Sequence, residues 1–268
     1  MRALPINAET TMFTSVVPIP TVGNLAVNSY LIRGEEPTVI DTGITPEVAG
    51  LRRRAEGAHR SERDSLDRRD ARRSRPRRCA LGRLLTEAPN ATVVASLVTF
   101  GLMSVGSEPI PPERAFLVHD GSTRDIGDRT LRAVRPPLFD NPGTLAFFDP
   151  KQNILFSADC FGAPFTTPEA ALAEDVAAIP DDELEPAQLL WGSVDSPWAH
   201  FVEEARFADN LNRFLQDRPD TVLGTHVPPI QGDLDRHVKT LTKLPSSTPY
   251  VTADQAALEA FMATMAPQ

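Results

Sequence analysis

The amino-acid sequence predicts a mixed α/β (α+β) fold in which two β-sheets pack against each other with helices on the outside. β-rich runs followed by helical patterns occur twice along the chain, in the order ββ(α) and ββ(α), and no repeat of fixed period is visible. At 268 residues, with 41% hydrophobic and 24% charged content, the chain has the composition of a soluble globular protein and the length of one large domain, taken as residues 1–268.

Residues 14–18, 25–33 and 38–41 read as strands, punctuated by Pro20, Gly23, Gly34 and Gly43. Thr45-Pro46-Glu47 has the form of a helix start, a capping threonine followed by proline at the first helical position. Between Arg52 and Arg78 the nonpolar side chains beyond glycine and proline are Ala55, Ala58, Leu66 and Ala71, too few for a strand or an amphipathic helix to bury a face. The ordinary pattern then resumes with a helix at 80–88, a strand at 92–95 and a helix at 97–105. A β-rich middle follows, with strands expected at 115–118, 130–134, 144–148 and 154–157 around the Asp120-Gly121 and Gly127-Asp128 turns. Helices are expected at 169–177, 199–215, 234–241 and 253–265, interrupted by a strand at 221–224.

The net charge of −9 is unevenly distributed. Lysine is confined to Lys151, Lys239 and Lys243, and twelve arginines fall between Arg52 and Arg78 against five acids, a net of +7 that leaves −16 for the rest of the chain. An acidic body argues against general nucleic-acid affinity. The basic segment has no aromatic residues to stack bases and its acids are interspersed, so residues 52–79 are expected to be an aberrant loop or disordered segment rather than a nucleic-acid-binding arm. No apolar run reaches the ~18 to 20 residues that span a bilayer, and a basic-then-apolar leader is missing from the first residues, so no membrane association and a cytoplasmic location are expected. With only Cys79 and Cys160, a cysteine-rich zinc site is excluded, and any metal must be held by histidine and carboxylates.

Three places put a metal-capable side chain at the end of an apolar strand: Asp140 in Phe139-Asp140-Asn141-Pro142, Asp159 in Phe156-Ser157-Ala158-Asp159-Cys160, and His226 in Leu223-Gly224-Thr225-His226. Taken singly each has a bland reading, as a turn residue before Pro142, a strand-end cap and a loop histidine. Among the weaker candidates, His119 reads as a turn residue, and His200 and His237 as surface residues of helices. Cys160 is turned away from the Asp159 side by strand alternation, and Trp191 and Trp198, which could wall a pocket or pack the core, read as core.

Taken together with the N-terminal segment, these motifs resemble the metallo-β-lactamase superfamily, and within it the flavodiiron and oxygen-binding diiron branch. Asn28-Ser29-Tyr30-Leu31-Ile32 followed by Val39-Ile40-Asp41-Thr42-Gly43 looks like that family's opening hairpin. Asp140-Asn141-Pro142-Gly143-Thr144 falls where the diiron branch has a His-x-Pro-x-Ser/Thr turn, with Asp140 in the histidine's place. Asp159 matches the aspartate that bridges two metals, and His226 the closing glycine-x-histidine ligand. The resemblance implies an αββα four-layer sandwich with the site at one sheet edge, and Asp140, Asp159 and His226 as metal ligands.

The family's defining His-x-(His/Glu/Asp)-x-Asp-His cluster should fall within the arginine-rich segment, whose only histidine is His59. A reading-frame slip accounts for this, the alternative being a real basic insertion. Arginine, alanine and proline codons of the CGN, GCN and CCN type become GNC, CNC and CNC when read one base later, and these can encode Asp, His and His. Sliding the frame over residues 65–80 permits an apolar strand and then T-H-D-D-x-D-H-x-G-A-L, running into Leu81-Gly82-Arg83. A groove or an unpaired strand edge is then expected beside residues 39–41 and 92–95.

For the intact family member the resemblance implies a metal-dependent hydrolase in which metal-bound hydroxide attacks an ester, thioester or phosphoester of a small-molecule substrate. The alternative is a diiron oxidoreductase or an oxygen- or nitric oxide-binding protein. Dioxygen would then be the small-molecule partner, and a separate electron-transfer partner would be needed because the chain ends without a flavodoxin-like domain. The cofactor is a divalent metal, iron or zinc, two ions in the intact family and one or none in this chain. A homodimer is compatible with either reading. A third reading is a non-catalytic protein with an incomplete metal site, for which weak or single-metal binding and negligible turnover are expected.

Overall fold

The computed structural model describes residues 1–43, 80–105 and 109–265. The helix start at Thr45 and the arginine-rich segment 52–79, with Cys79, lie outside the described residues. The first sheet is an antiparallel meander of β1 (Arg2–Pro5), β2 (Thr10–Ile19), β3 (Gly23–Ile32) and β4 (Thr38–Ile40). Its alternation is clean: Met12, Tyr30 and Ile32 point to one face, Phe13 and Leu31 to the other.

After α1 (Ala80–Glu87), a small parallel pair is formed by β5 (Val93–Ala95) and, beyond α2 (Leu97–Ser104), β6 (Ala115–Leu117). Among the described residues β4 pairs with β3 alone and β5 with β6 alone, so each presents a second edge without a strand partner.

The second sheet has six strands: β7 (Thr123–Asp125), β8 (Thr130–Val134), β9 (Ala146–Asp149), β10 (Ile154–Ala158), β11 (Thr221–Gly224) and β12 (Ile230–Gln231), in the order β12-β11-β10-β9-β8-β7. Ile126, Leu131, Ile154, Phe156 and Leu223 pack on Met12, Tyr30 and Ile32 of the first sheet, making the layer between the sheets. The opposite face, with Phe148, Leu155 and Val222, is covered by helices. These are α4 (Asp181–Asp195), α5 (Glu204–Phe214) and α6 (Leu234–Leu241), preceded by the single turn α3 (Pro168–Ala171) and followed by α7 (Gln255–Met265). β10 and β11 are parallel, and parallel neighbours need a long crossover, which α3 to α5 supply.

Several elements depart from the sequence-based expectation. The helix expected at 169–177 is broken into α3 and a 3₁₀ turn, Val176–Ala178, because Asp175 turns extended and its carboxylate caps the Ala177 N–H. The helix expected at 199–215 is split where Val202 and Glu203 adopt extended backbone, leaving the 3₁₀ turn Pro197–Phe201 before α5. Helix α4 was not expected at all. His237 is buried rather than on the surface: α6 lays it against α4, where Nδ1 meets the Gln188 amide and the ring packs edge-on to Phe161. Burial pulls its pKa down to about 4, so it is neutral at physiological pH. His200 is half-buried, held by the Ser193 hydroxyl at 2.8 Å.

Candidate functional site

Asp159 and His226 meet because the strands before them are parallel neighbours. Ala158 is in register with Gly224, so both chains leave the sheet at the same carboxyl edge, where open α/β sheets present their ligands. The turn after β10 is tight: Ala158 and Phe161 have φ of 51° and 72°, in the left-handed region. His226 Nε2 lies 3.5 Å from Asp159 Oδ1. That separation is long for a hydrogen bond, and close to the ~3.4 Å between two donors each ~2.1 Å from one tetrahedral ion.

β3 grips the loop that carries His226. Every second residue of the strand faces it, as strand alternation dictates. The Ala26 carbonyl accepts a 2.8 Å bond from His226 Nδ1. The Asn28 side-chain amide donates to the carbonyls of Gly224 and Val227, both at 2.8 Å, while its backbone N–H donates to the Thr225 carbonyl. The Tyr30 hydroxyl donates to Gly224 at 2.6 Å. The Asn-x-Tyr pattern of the sequence is thus a clamp on the histidine loop. Asp41, with φ of 57°, accepts a bond from the Thr225 hydroxyl on the loop's other side.

Asp140 lies in the β8–β9 connection rather than at a strand end, which corrects the sequence reading. Asn141 Oδ1 accepts from the Gly143 N–H in an Asx turn. The Gly143 carbonyl accepts from the hydroxyls of Ser96 and Thr99, and a Cβ on Gly143 would sit 2.3 Å from Thr99 Oγ1, so only glycine fits. Arg135 donates to the carbonyls of Pro142 and Thr144, closing the loop from below.

Helix α4 adds two residues that the sequence reading did not place in the site. Trp191 packs in the core, as expected, but it also walls the site: its ring centroid is 4.8 Å from that of His226, and Nε1 donates to the Asp159 carbonyl at 3.0 Å. Asp195 follows four residues later, on the same helix face. One carboxylate oxygen from each of Asp140, Asp159 and Asp195 lies within 4.8 Å of the others. Leu184, Ala187, Gln188 and Trp191, at i, i+3, i+4 and i+7, were the signal for this helix; Pro186 inside it masked that pattern. Cys160 is fully buried, in keeping with a packing role. His119 is exposed in the Asp120-Gly121 turn.

Electrostatically the site is anionic and under-compensated. Burial first, and then the charges of Asp195, Asp140 and Asp41, push the Asp159 carboxyl up to about 8. Burial also raises Asp195, to about 6, with Asp140 adding to the effect. His226 is lowered by burial and therefore neutral. A carbonyl can only accept, so its proton is on Nδ1 and the Nε2 lone pair is free to face Asp159. Three crowded carboxylates with a neutral imidazole beside one of them, Asp159, make a hard-to-borderline oxygen and nitrogen donor set suited to a divalent cation such as iron or zinc.

No family model matches the chain, and no curated protein does. Solved structures do. The flavodiiron protein from Giardia intestinalis superposes with a TM-score of 0.70 at 19% identity, over 91% of this chain and 59% of its own. The rubredoxin oxygen:oxidoreductase from Desulfovibrio gigas gives 0.69 at 16% identity, over 93% of this chain and 63% of its own. The flavodiiron core from Synechocystis sp. PCC6803 gives 0.61 at 20%, over 91% and 60%. The chain therefore spans about three fifths of the length of these proteins. At such identities the likeness establishes the fold, and the fold is the metallo-β-lactamase-like αββα sandwich of the flavodiiron proteins, as the motifs predict.

Proposed function

We propose that this chain is the metal-binding core of a diiron-type oxidoreductase that acts on dioxygen or nitric oxide with electrons from a separate donor, and that Asp140, Asp159 and His226 are metal ligands. The observation that carries the reading is the neutral His226, its Nδ1–H committed to Ala26 and its Nε2 facing Asp159, a member of a carboxylate cluster that no described lysine or arginine pairs with. Iron bound there would supply the one-electron steps that reduction of dioxygen or nitric oxide requires. The chain's own residues prepare the position. Asn28 and Tyr30 fix the backbone on either side of His226, the Ala26 carbonyl sets its tautomer, and Trp191 covers its ring against water. Without a cation, Asp159 holds a proton that a metal would displace.

The hydrolytic reading uses the same ligands. Likeness in fold to a rubredoxin oxygen:oxidoreductase and to flavodiiron proteins is what puts the redox reading ahead of it. The reading-frame slip belongs to this proposal: the further ligands that a two-metal centre needs are encoded out of frame over residues 65–80. The second edges of β4 and β5, without a strand partner among the described residues, support a strand between them. Resequencing the gene across codons 50–80 tests the slip, and an intact present frame refutes it. The function is tested by loading the present and frame-restored chains with Fe(II) or Zn(II) and measuring uptake of dioxygen and nitric oxide with an artificial reductant, alongside ester hydrolysis. The expected result is iron-dependent uptake by the restored chain and negligible turnover by the present one. Zinc-dependent ester hydrolysis without gas uptake would overturn the redox reading.

A further inference from the structure

We propose that Asp195, at the end of α4, is a third carboxylate ligand of the metal centre; this rests on the reading of the preceding subsection. Four observations converge. First, one Asp195 oxygen lies within 4.8 Å of oxygens of both Asp140 and Asp159, the spacing of groups that share an ion. Second, a donor that is not acidic adjoins the cluster at Asp159: His226 Nε2, 3.5 Å from Asp159 Oδ1, carries no proton because the ring's N–H is the Nδ1–H bonded to Ala26. Third, among the described residues no lysine or arginine forms an ion pair with any of the three carboxylates, so none of the described basic side chains offsets their charge.

Fourth, Asp195 is aimed. The Ser196 hydroxyl, fully buried, donates to Asp195 Oδ2 at 2.9 Å and accepts the Phe139 N–H at 2.8 Å, so one side chain ties this carboxylate to the residue before Asp140. That bond engages a single oxygen of the carboxylate, Oδ2. One turn earlier Trp191 fastens α4 to the Asp159 carbonyl, and a Cβ on Gly162 would lie 2.3 Å from its indole, so the helix is seated as close as the turn allows. The last turn of α4 therefore fixes the spacing between Asp195 and the turns that carry Asp140 and Asp159.

The test is equilibrium dialysis of the full chain against Co(II) with its visible absorption recorded, for the wild type, Asp195→Asn, Asp195→Glu, Asp159→Asn and His226→Ala, and with thermal unfolding of each metal-free protein. Asp195→Asn should weaken Co(II) binding roughly tenfold or more and change the absorption bands, with partial recovery in Asp195→Glu, while the metal-free Asn variant unfolds no earlier than the wild type. Wild-type affinity and an unchanged spectrum in Asp195→Asn overturn this inference, whereas loss of binding in Asp159→Asn and His226→Ala in the same series leaves the metal-centre reading standing. Failure of the wild type to bind Co(II), or binding unaffected by any of the four substitutions, overturns both.

Discussion

His226 Nδ1 lies 2.8 Å from the carbonyl oxygen of Ala26, and that one bond decides which face of the imidazole is available to a ligand. Because the carbonyl accepts, the neutral ring carries its proton on Nδ1 and presents Nε2 as a lone pair. Two-dimensional NMR of ¹⁵N-labelled protein at neutral pH should therefore show His226 as the Nδ1–H tautomer, and titration with Zn(II) should move the Nε2 resonance while Nδ1 stays protonated. An Nε2–H tautomer in the metal-free protein would contradict this assignment.

The metal-free protein should lose stability as pH rises through the physiological range. Asp159 is held up at about 8 in the folded state against roughly 4 when unfolded, so the folded state binds this proton more tightly. Its contribution is complete below about pH 4 and is lost as pH climbs through about 8. Asp195, at about 6, acts in the same direction over a lower range. His237, lowered to about 4, has the opposite sign, and its contribution is lost only as pH falls below the unfolded value near 6.5. Urea midpoints measured from pH 6.5 to 8.5 should therefore fall in the wild type and flatten in Asp159→Asn. Saturating Zn(II) should reverse the slope, since metal and proton compete for the same oxygens.

Tyr30 and Asn28 both bond the Gly224 carbonyl, at 2.6 and 2.8 Å, but Asn28 makes a second bond to Val227 and so spans the histidine. Tyr30→Phe removes one of two donors to one acceptor and should cost about 1 kcal/mol. Asn28→Ala leaves the buried Val227 carbonyl without its side-chain donor and should cost about 2–3 kcal/mol, with a larger loss of metal affinity. Urea unfolding and metal titration of the two variants check the order; equal effects would show that the loop does not depend on the span.

Gly162 is where Trp191 comes closest to the Asp159 turn: a Cβ there would meet the indole Cδ1 and Nε1 at 2.3 Å. Gly162→Ala should cost about 1–3 kcal/mol through overpacking and displace the indole from His226. The displacement is read as a change in tryptophan emission and a weaker metal titration. Wild-type stability and emission in Gly162→Ala would mean that α4 yields at this contact.

Much of the fold was legible because strands with alternating faces announce themselves locally. Residues 25–33 and 130–134 carry the alternation that becomes β3 and β8, and Asp140, Asp159 and His226 stand beside glycine, proline or strand-end signals. What was not legible depended on tertiary context. Helix α4 has a polar acidic start and an interior proline, so its apolar stripe of Leu184, Ala187 and Trp191 does not stand out until the sheet beneath supplies a surface. Asp195 was missed with it. The function of Asn28 and Tyr30 was likewise visible only as a pattern; their bonds run to Gly224 and Val227, nearly two hundred residues away.

The metal centre proposed for Asp140, Asp159, Asp195 and His226, with Asp159 common to the carboxylate cluster and the histidine, is tested most directly by anomalous X-ray scattering from crystals of the full chain grown with Fe(II) or Zn(II). An anomalous peak at the metal edge is expected about 2.0–2.3 Å from His226 Nε2 and from a carboxylate oxygen of Asp159. Crystals that show the metal elsewhere, or no peak between these two side chains, would contradict it.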